Sequence, residues 1–341
     1  MKKMFKKIRT KNTENDAVAV VDPVDILLSA PNIGRMTNEQ RKAMTTSCHD
    51  TDYIPKVENA GQVIRRKGKD IQVLHNGIVV EAAGYVCEWM TEIIKDLRGH
   101  HEPQEEKAFY EVLERIDSGA TMIELGSYWA YYSLWFSKRI KNARNICLEP
   151  DPKNIALGKR NAKLNGNSGI DFLKGAISSQ QGGVIPISLD SNPSKVVDIP
   201  AFSVDGIMKM KKIEKLDLLH MDVQGFELET LKGVEETIKS GKLRFLFVST
   251  HHYLFSRSVN THADCLTFIK KRGGHIISSH TIPESFSGDG LIVASFDERD
   301  KDFTVDTSIN HTDAALFRTY EDDLQILIDA YRAAIIDHGE K

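Results

Sequence analysis

Three acid-bearing turns along the chain have the composition of a ligand site. The first is Met122-Ile-Glu124-Leu-Gly126, an apolar run carrying one acid and closed by a glycine, with Ser127, Tyr128 and Trp129 opening the next segment. A glycine at the end of a buried strand lets the chain turn tightly and a ligand approach closely, at the carboxyl edge where open α/β sheets bind cofactors. The second is Cys147-Leu-Glu149-Pro150-Asp151. A carboxylate there can accept both hydroxyls of a nucleoside ribose. The third is Leu218-Leu-His-Met-Asp222-Val-Gln224-Gly225-Phe-Glu227, a strand ending in an acid just before a helix.

The first two turns together imply a nucleoside cofactor. A dinucleotide asks for Gly-x-Gly-x-x-Gly against its pyrophosphate, and Gly126-Ser-Tyr-Trp-Ala-Tyr supplies one of those three glycines. An acid two residues before the glycine, with an antiparallel hairpin closing the sheet, suits a cofactor with a sulfonium and an amino acid end. That cofactor is S-adenosylmethionine, and the expected reaction is methyl transfer.

The fifth strand, Phe245-Leu-Phe-Val-Ser-Thr-His251-His252, brings two histidines to the same edge. Adjacent strand side chains point to opposite faces, so His251 is the expected general base and His252 a neighbour of the acceptor. Asp222 would orient that base, touch the acceptor, or join His251 in holding a divalent cation such as Mg or Mn. No HExxH or Cys/His spacing demands a metal. Two loops complete the rim. Glu102 and Gln104 are expected to face the methionine end, and His280, Glu284 and Asp289 to meet the acceptor. Glu227 reads as a favourable first-turn charge.

These residues need a scaffold. Short apolar runs at Met122–Leu125, Asn145–Leu148, Ile170–Leu173, Leu216–Met221 and Leu243–Val248 alternate with helical stretches, which predicts a mainly parallel sheet covered on both faces. His275–Ser278 and Leu291–Phe296 lack room for a crossover helix and should pair as an antiparallel hairpin. Residues 183–189 and 195–204 form an extended insertion. Asn76-Gly77 predicts an accessory hairpin, followed by helices around Trp89–Leu97 and from Pro103. Residues 312–336 read as a terminal helix whose stripe of Leu316, Tyr320, Leu324, Ile328, Tyr331 and Ile335 must be buried, on the chain itself or in a homodimer.

With those blocks in order, the chain resembles the FkbM family of S-adenosylmethionine-dependent methyltransferases over roughly residues 100–296. Glu124-x-Gly126 and Glu149-Pro-Asp151 resemble its cofactor motifs. Asp222-Val-Gln-Gly-Phe-Glu227 with Leu231-Lys-Gly233 resembles its Asp-x-Glu-Gly-x-Glu signature, and Phe202-Ser-Val-Asp205 its entry to the fourth strand. The resemblance implies a Rossmann-like, seven-stranded α/β sheet with an antiparallel last strand, plus the N-terminal accessory hairpin and helices. It implies O-methylation of a saccharide or small molecule, with Glu124 at the methionine part, Glu149 at the ribose and Gly175-Ala176-Ile177 beside the adenine. Three positions depart from the family: Ala130 replaces a second glycine, and Gln224 and Ser249 replace glutamates that a metal site would use.

The whole-chain balance agrees. Forty-five basic against 48 acidic residues give a net charge of −3, and 41% of residues are apolar. Such a chain is globular and has no general polyanion-binding surface, so nucleic acid is not an expected partner. Four separated cysteines form no CxxC pair and suit a cytoplasmic location; no stretch is long and apolar enough for an integral membrane segment. The expected organisation is a polar leader over 1–60 with a basic start, an accessory region over 61–119, the cofactor-binding domain over 120–300 and a helical extension over 301–341. The rival readings are a nicotinamide-dependent oxidoreductase on a similar sheet and a non-catalytic nucleoside- or glycan-binding domain.

Overall fold

The computed structural model describes residues 21–311 and 315–339; the basic start lies outside them. Two helices come first, α1 (Pro23–Ser29) and α2 (Asn38–Thr46), followed by β1 (Val63–Arg66), β2 (Lys69–Val73), β3 (Val79–Glu81), α3 (Glu88–Asp96) and α4 (Pro103–Leu113). The main sheet then begins with β4 (Thr121–Leu125), α5 (Tyr131–Arg139), β5 (Arg144–Glu149), α6 (Pro152–Leu164) and β6 (Ile170–Lys174). After β7 (Ala176–Ile177) come the inserted strands β8 (Val184–Leu189) and β9 (Asn192–Phe202), then α7 (Val204–Met210) and β10 (Leu216–Asp222). The chain continues through α8 (Glu227–Lys232), α9 (Glu235–Lys239), β11 (Leu243–Thr250), α10 (Tyr253–Ser256), α11 (Thr261–Lys271), β12 (His275–His280), β13 (Gly290–Ser295) and α12 (Tyr320–Gly339).

Seven strands lie in the order β12-β13-β11-β10-β4-β5-β6. β11, β10, β4, β5 and β6 run parallel, and β13 pairs antiparallel with both β11 and β12. This is the Rossmann-like methyltransferase sheet with its reversed strand wedged beside the fifth.

Strand alternation sorts the side chains between two apolar layers. Met122, Leu218, Phe245 and Phe247 pack with Phe109 of α4 and Tyr131, Trp135 and Phe136. Ile123, Leu219, Leu246 and Val248 pack on the opposite face with Val204, Ile207, Leu231 and Ile269. The parity that places Met122 and Leu218 on the α4 side places Glu124, His220 and Asp222 there as well.

The accessory region departs from expectation in three ways. Asn76 and Gly77 do sit in the β2–β3 connection, with Gly77 at φ +79°, but β1 adds a strand through the Lys67-Gly68 turn, so the hairpin is a three-stranded sheet. Residues 23–60 are no leader without a core: Leu27 is fully buried against Val24 and Tyr253, and Thr45 and Cys48 are buried too. The terminal helix begins at Tyr320, residues 312–314 lie outside the described residues, and the expected stripe faces out, with Tyr320, Leu324, Tyr331 and Ile335 exposed. Ile326 and Leu327 of α12 pack on α1 instead.

Candidate active site

A cavity of about 380 Å³ opens at the carboxyl ends of β4, β5 and β10. Its floor is the turn after β4. Gly126 takes φ +72° there, and a Cβ on it would stand 1.7 Å from the Asp222 carbonyl oxygen. No side chain fits, so the glycine is required by close approach of two strand ends. Tyr128 and Ala130 also have positive φ, at 39° and 62°, as does Gln224 at 44°. Left-handed non-glycine residues cost of order 1–3 kcal/mol each and gather where a surrounding structure holds them for function.

The expected carboxylates line this cavity. Glu124 accepts the Ser133 N–H at 2.9 Å. Glu149 accepts the N–H groups of Tyr128 at 3.1 Å and Asp151 at 2.9 Å, and Asn154 Nδ2 at 3.3 Å. Burial raises Glu149 to about 7 against these bonds, and burial also moves Glu124 above the ordinary carboxylate value. Ser127, Tyr128, Trp129, Pro150, Asp151, Gly175, Ala176 and Asp222 share the lining. Ser127 Oγ is buried and has no protein partner. An orphaned hydroxyl, two carboxylates and a turn stripped of Cβ fit the polar ends of a nucleoside–amino acid cofactor.

Two expected cofactor residues are tied into the scaffold. Asp151 lines the cavity, but its Oδ1 accepts Lys153 N and its Oδ2 accepts Ser191 N, each at 2.8 Å. It therefore caps α6 and pins the β8–β9 hairpin, whose residues from Pro186 to Asp190 cover the cavity beside Glu149. Gln104 is absent from the lining. Its amide bonds the carbonyls of Glu284 and Ser308 and accepts Phe286 N, so it fastens the β12–β13 loop.

A second cavity, of about 210 Å³, shares Tyr85, Val86, His101, Glu102, Asp222 and Gln224 with the first. His251 and Asp289 line it, with Arg41, Trp89, Phe255 and Phe317. The other expected acceptor residues lie elsewhere. His252 lies past the end of β11 and caps α10: it accepts Leu254 N and stacks on Phe317. His280 is buried with Nδ1 beside the Thr281 carbonyl, and Glu284 closes its own loop by accepting Thr281 N and Oγ1. Arg41, Tyr85 and Trp89 come from segments that the sequence marked with no functional motif.

The model of the methyltransferase FkbM domain matches residues 102–276. The chain belongs to the FkbM methyltransferase family. No curated protein matches it. Among solved structures, a SAM-dependent methyltransferase from Aquifex aeolicus is 14% identical with a TM-score of 0.35, covering 55% of this chain and 89% of that chain. Magnesium protoporphyrin IX methyltransferase from Synechocystis PCC 6803, with bound SAM, is 14% identical with a TM-score of 0.39, covering 59% and 82%. Precorrin-6y C5,15-methyltransferase from Geobacter metallireducens is 13% identical with a TM-score of 0.36, covering 55% and 86%.

In this FkbM methyltransferase His251, the base expected from sequence, sits inside a cluster of acids. Its Nδ1 is 2.6 Å from Glu227 Oε1, and its Nε2 faces Asp222 Oδ1 at 3.1 Å and Asp289 Oδ1 at 3.7 Å. Acids on both sides of the ring favour a proton on each nitrogen. Burial opposes that charge, but Asp289, Asp222 and Glu227 outweigh it and hold the imidazole well above its ordinary pKa. The resulting imidazolium keeps Asp222 ionised, below the usual carboxylate value despite burial. Glu227, read as a helix-end charge, is fully buried and forms one side of this cluster.

The FkbM site also supplies the missing Ser249 carboxylate from another element. Glu105 of α4 bonds His220 Nε2 at 2.6 Å and accepts Ser249 Oγ at 3.0 Å. The compact metal-type group among the described residues is His75, His100 and Glu106, away from Asp222 and His251. The two imidazoles there are stacked, 4.1 Å apart and 14° from parallel.

Proposed function

We propose that this S-adenosylmethionine-dependent methyltransferase methylates a hydroxyl group of a saccharide or a similarly polar small natural product. The second cavity carries the reading. It adjoins the cofactor cavity and combines aromatic walls, Tyr85, Trp89 and Phe255, with the carboxylates of Glu102, Asp222 and Asp289. Rings take the C–H faces of a sugar, and carboxylates accept its hydroxyls. Asp222, held ionised there, would repel a phosphate backbone, which argues against a nucleic acid acceptor.

Glu124 and the Gly126 turn would hold the amino acid end of the cofactor, and Glu149 the ribose. The bound cofactor supplies an electrophilic methyl on sulfur. The chain's part is to align an acceptor oxygen from the second cavity and to take its proton. No divalent cation enters this scheme. No helix among the described residues is long and apolar enough to cross a membrane, and four free cysteines suit the cytoplasmic setting we propose.

Calorimetry with S-adenosylmethionine and NAD tests the cofactor, and S-adenosylhomocysteine release across a panel of monosaccharides, glycosides and phenols tests the acceptor. We expect binding of the first cofactor alone and release with a sugar hydroxyl. Tighter binding of NAD would restore the oxidoreductase reading. Cofactor binding with no release across the panel would favour a non-catalytic binder.

A further inference from the structure

With His251 committed to its carboxylates, the acceptor's proton needs another destination. The titratable side chains common to both cavities are Tyr85, His101, Glu102 and Asp222. Three are unsuited. His101 Nδ1 is paired with Glu106 Oε1 at 2.7 Å, Asp222 faces the His251 imidazolium, and burial pushes the Tyr85 phenol well above its usual value.

Glu102 is placed differently. It is the residue before α4, yet its side chain makes no capping bond to that helix. Its Oε2 accepts the Tyr132 hydroxyl at 3.2 Å and lies 3.4 Å from His101 Nε2. Among the described residues no hydrogen bond occupies Oε1, and the carboxyl group stands on the seam between the cavities.

We propose that Glu102 is the general base of this methyltransferase, accepting the proton of the acceptor hydroxyl on Oε1. The assignment rests on the hydroxyl-transfer reading above. As the acceptor oxygen's lone pair forms the new C–O bond, the C–S pair returns to sulfur and the O–H proton passes to Glu102, so charge and atoms balance.

The surroundings favour this role. Burial lifts Glu102 to about 8; His101 opposes the rise, and Glu105, Asp222 and Asp289 add to it. Tyr132 and Tyr85 are the uncharged titratable groups beside it. A carboxylate of that basicity removes a hydroxyl proton far better than an ordinary one near 4.3. A cation entering the first cavity must pull Glu102 towards its ionised form.

That coupling gives a test that needs no acceptor. Calorimetry at about pH 7.5, in buffers of different ionisation enthalpy, counts protons released on binding. S-adenosylmethionine, with its sulfonium, should release more than the uncharged thioether S-adenosylhomocysteine. Glu102→Gln should bind both and abolish the difference. Should that variant not fold, Glu102→Asp should keep the release with a shifted pH midpoint. An excess that persists in Glu102→Gln, an unmoved midpoint in Glu102→Asp, or equal release by both ligands in the wild type overturns the assignment. A wild type that binds neither ligand overturns the cofactor reading instead, and this assignment with it. With the compound selected by the release panel, Glu102→Gln should slow single-turnover methylation by about 10²–10⁴-fold. An unchanged rate sinks the proposal.

Discussion

Glu149 fastens the scaffold at the wall of the first cavity, where we propose it also meets the ribose. Its oxygens accept the N–H of Tyr128 inside the strained turn and the N–H of Asp151 at the next helix. Glu149→Ala should therefore weaken S-adenosylmethionine binding by about 1–3 kcal/mol and also lower the melting temperature, while Glu149→Gln, which keeps an acceptor oxygen, should lose less of both. Titration calorimetry and thermal melts on the two variants check this. Glu102 gives a pH-dependent counterpart. Folded Glu102 keeps its proton up to about 8, whereas an unfolded chain gives it up near 4.3. Its favourable contribution is complete below the unfolded value and is lost as pH rises through the folded one. Glu102→Gln should accordingly gain melting temperature over wild type between about pH 5 and about pH 9; a difference that does not change with pH would refute this. Glu124, Gly126 and Glu149 were legible in sequence because strand, turn and acid are neighbours along the chain. The partnership of Glu105 with His220 was not, because 115 positions separate them and no local pattern encodes which helix will cover a sheet face.

At the scale of elements, the strand-turn-helix units follow from short apolar runs punctuated by acids and glycines, whereas strand parity does not reach His251 and His252, because β11 ends at Thr250 before them. The turns inside those units carry strain that composition does not reveal. Ala130 occupies a left-handed position, so Ala130→Gly should raise unfolding free energy by up to about 1 kcal/mol in urea titrations. Gly126→Ala should do the opposite, driving β4 away from Asp222 and abolishing cofactor binding, because the added methyl meets backbone. A folded Gly126→Ala protein with wild-type affinity would disprove that close packing. The β8–β9 hairpin was visible as an extended insertion, but its place over the cofactor cavity is fixed by distant contacts, among them the Asp151 to Ser191 bond and the pairing of β9 with β7.

At the scale of the whole molecule, one arginine joins the two ends of the described chain. Arg318 bonds Asp323 at 2.8 Å, the carbonyls of Leu27 and Pro31, and the Tyr253 hydroxyl. Removing one partner from such a buried charged network costs about 3–5 kcal/mol, so Arg318→Ala should lower the denaturant midpoint sharply. A loss below about 1 kcal/mol would mean that α1 and α12 are held by apolar contacts alone. Polar composition concealed this arrangement: each end has too few apolar residues to form a core, and they bury surface by meeting each other. The second cavity inherits the same order of events, since Arg41 comes from the early part and Phe317 from the late part. During vectorial synthesis the seven-stranded sheet is complete once β13 has left the ribosome, while Phe317 and Arg318 are still to emerge. A nascent chain can therefore acquire a nucleoside pocket before its second cavity exists.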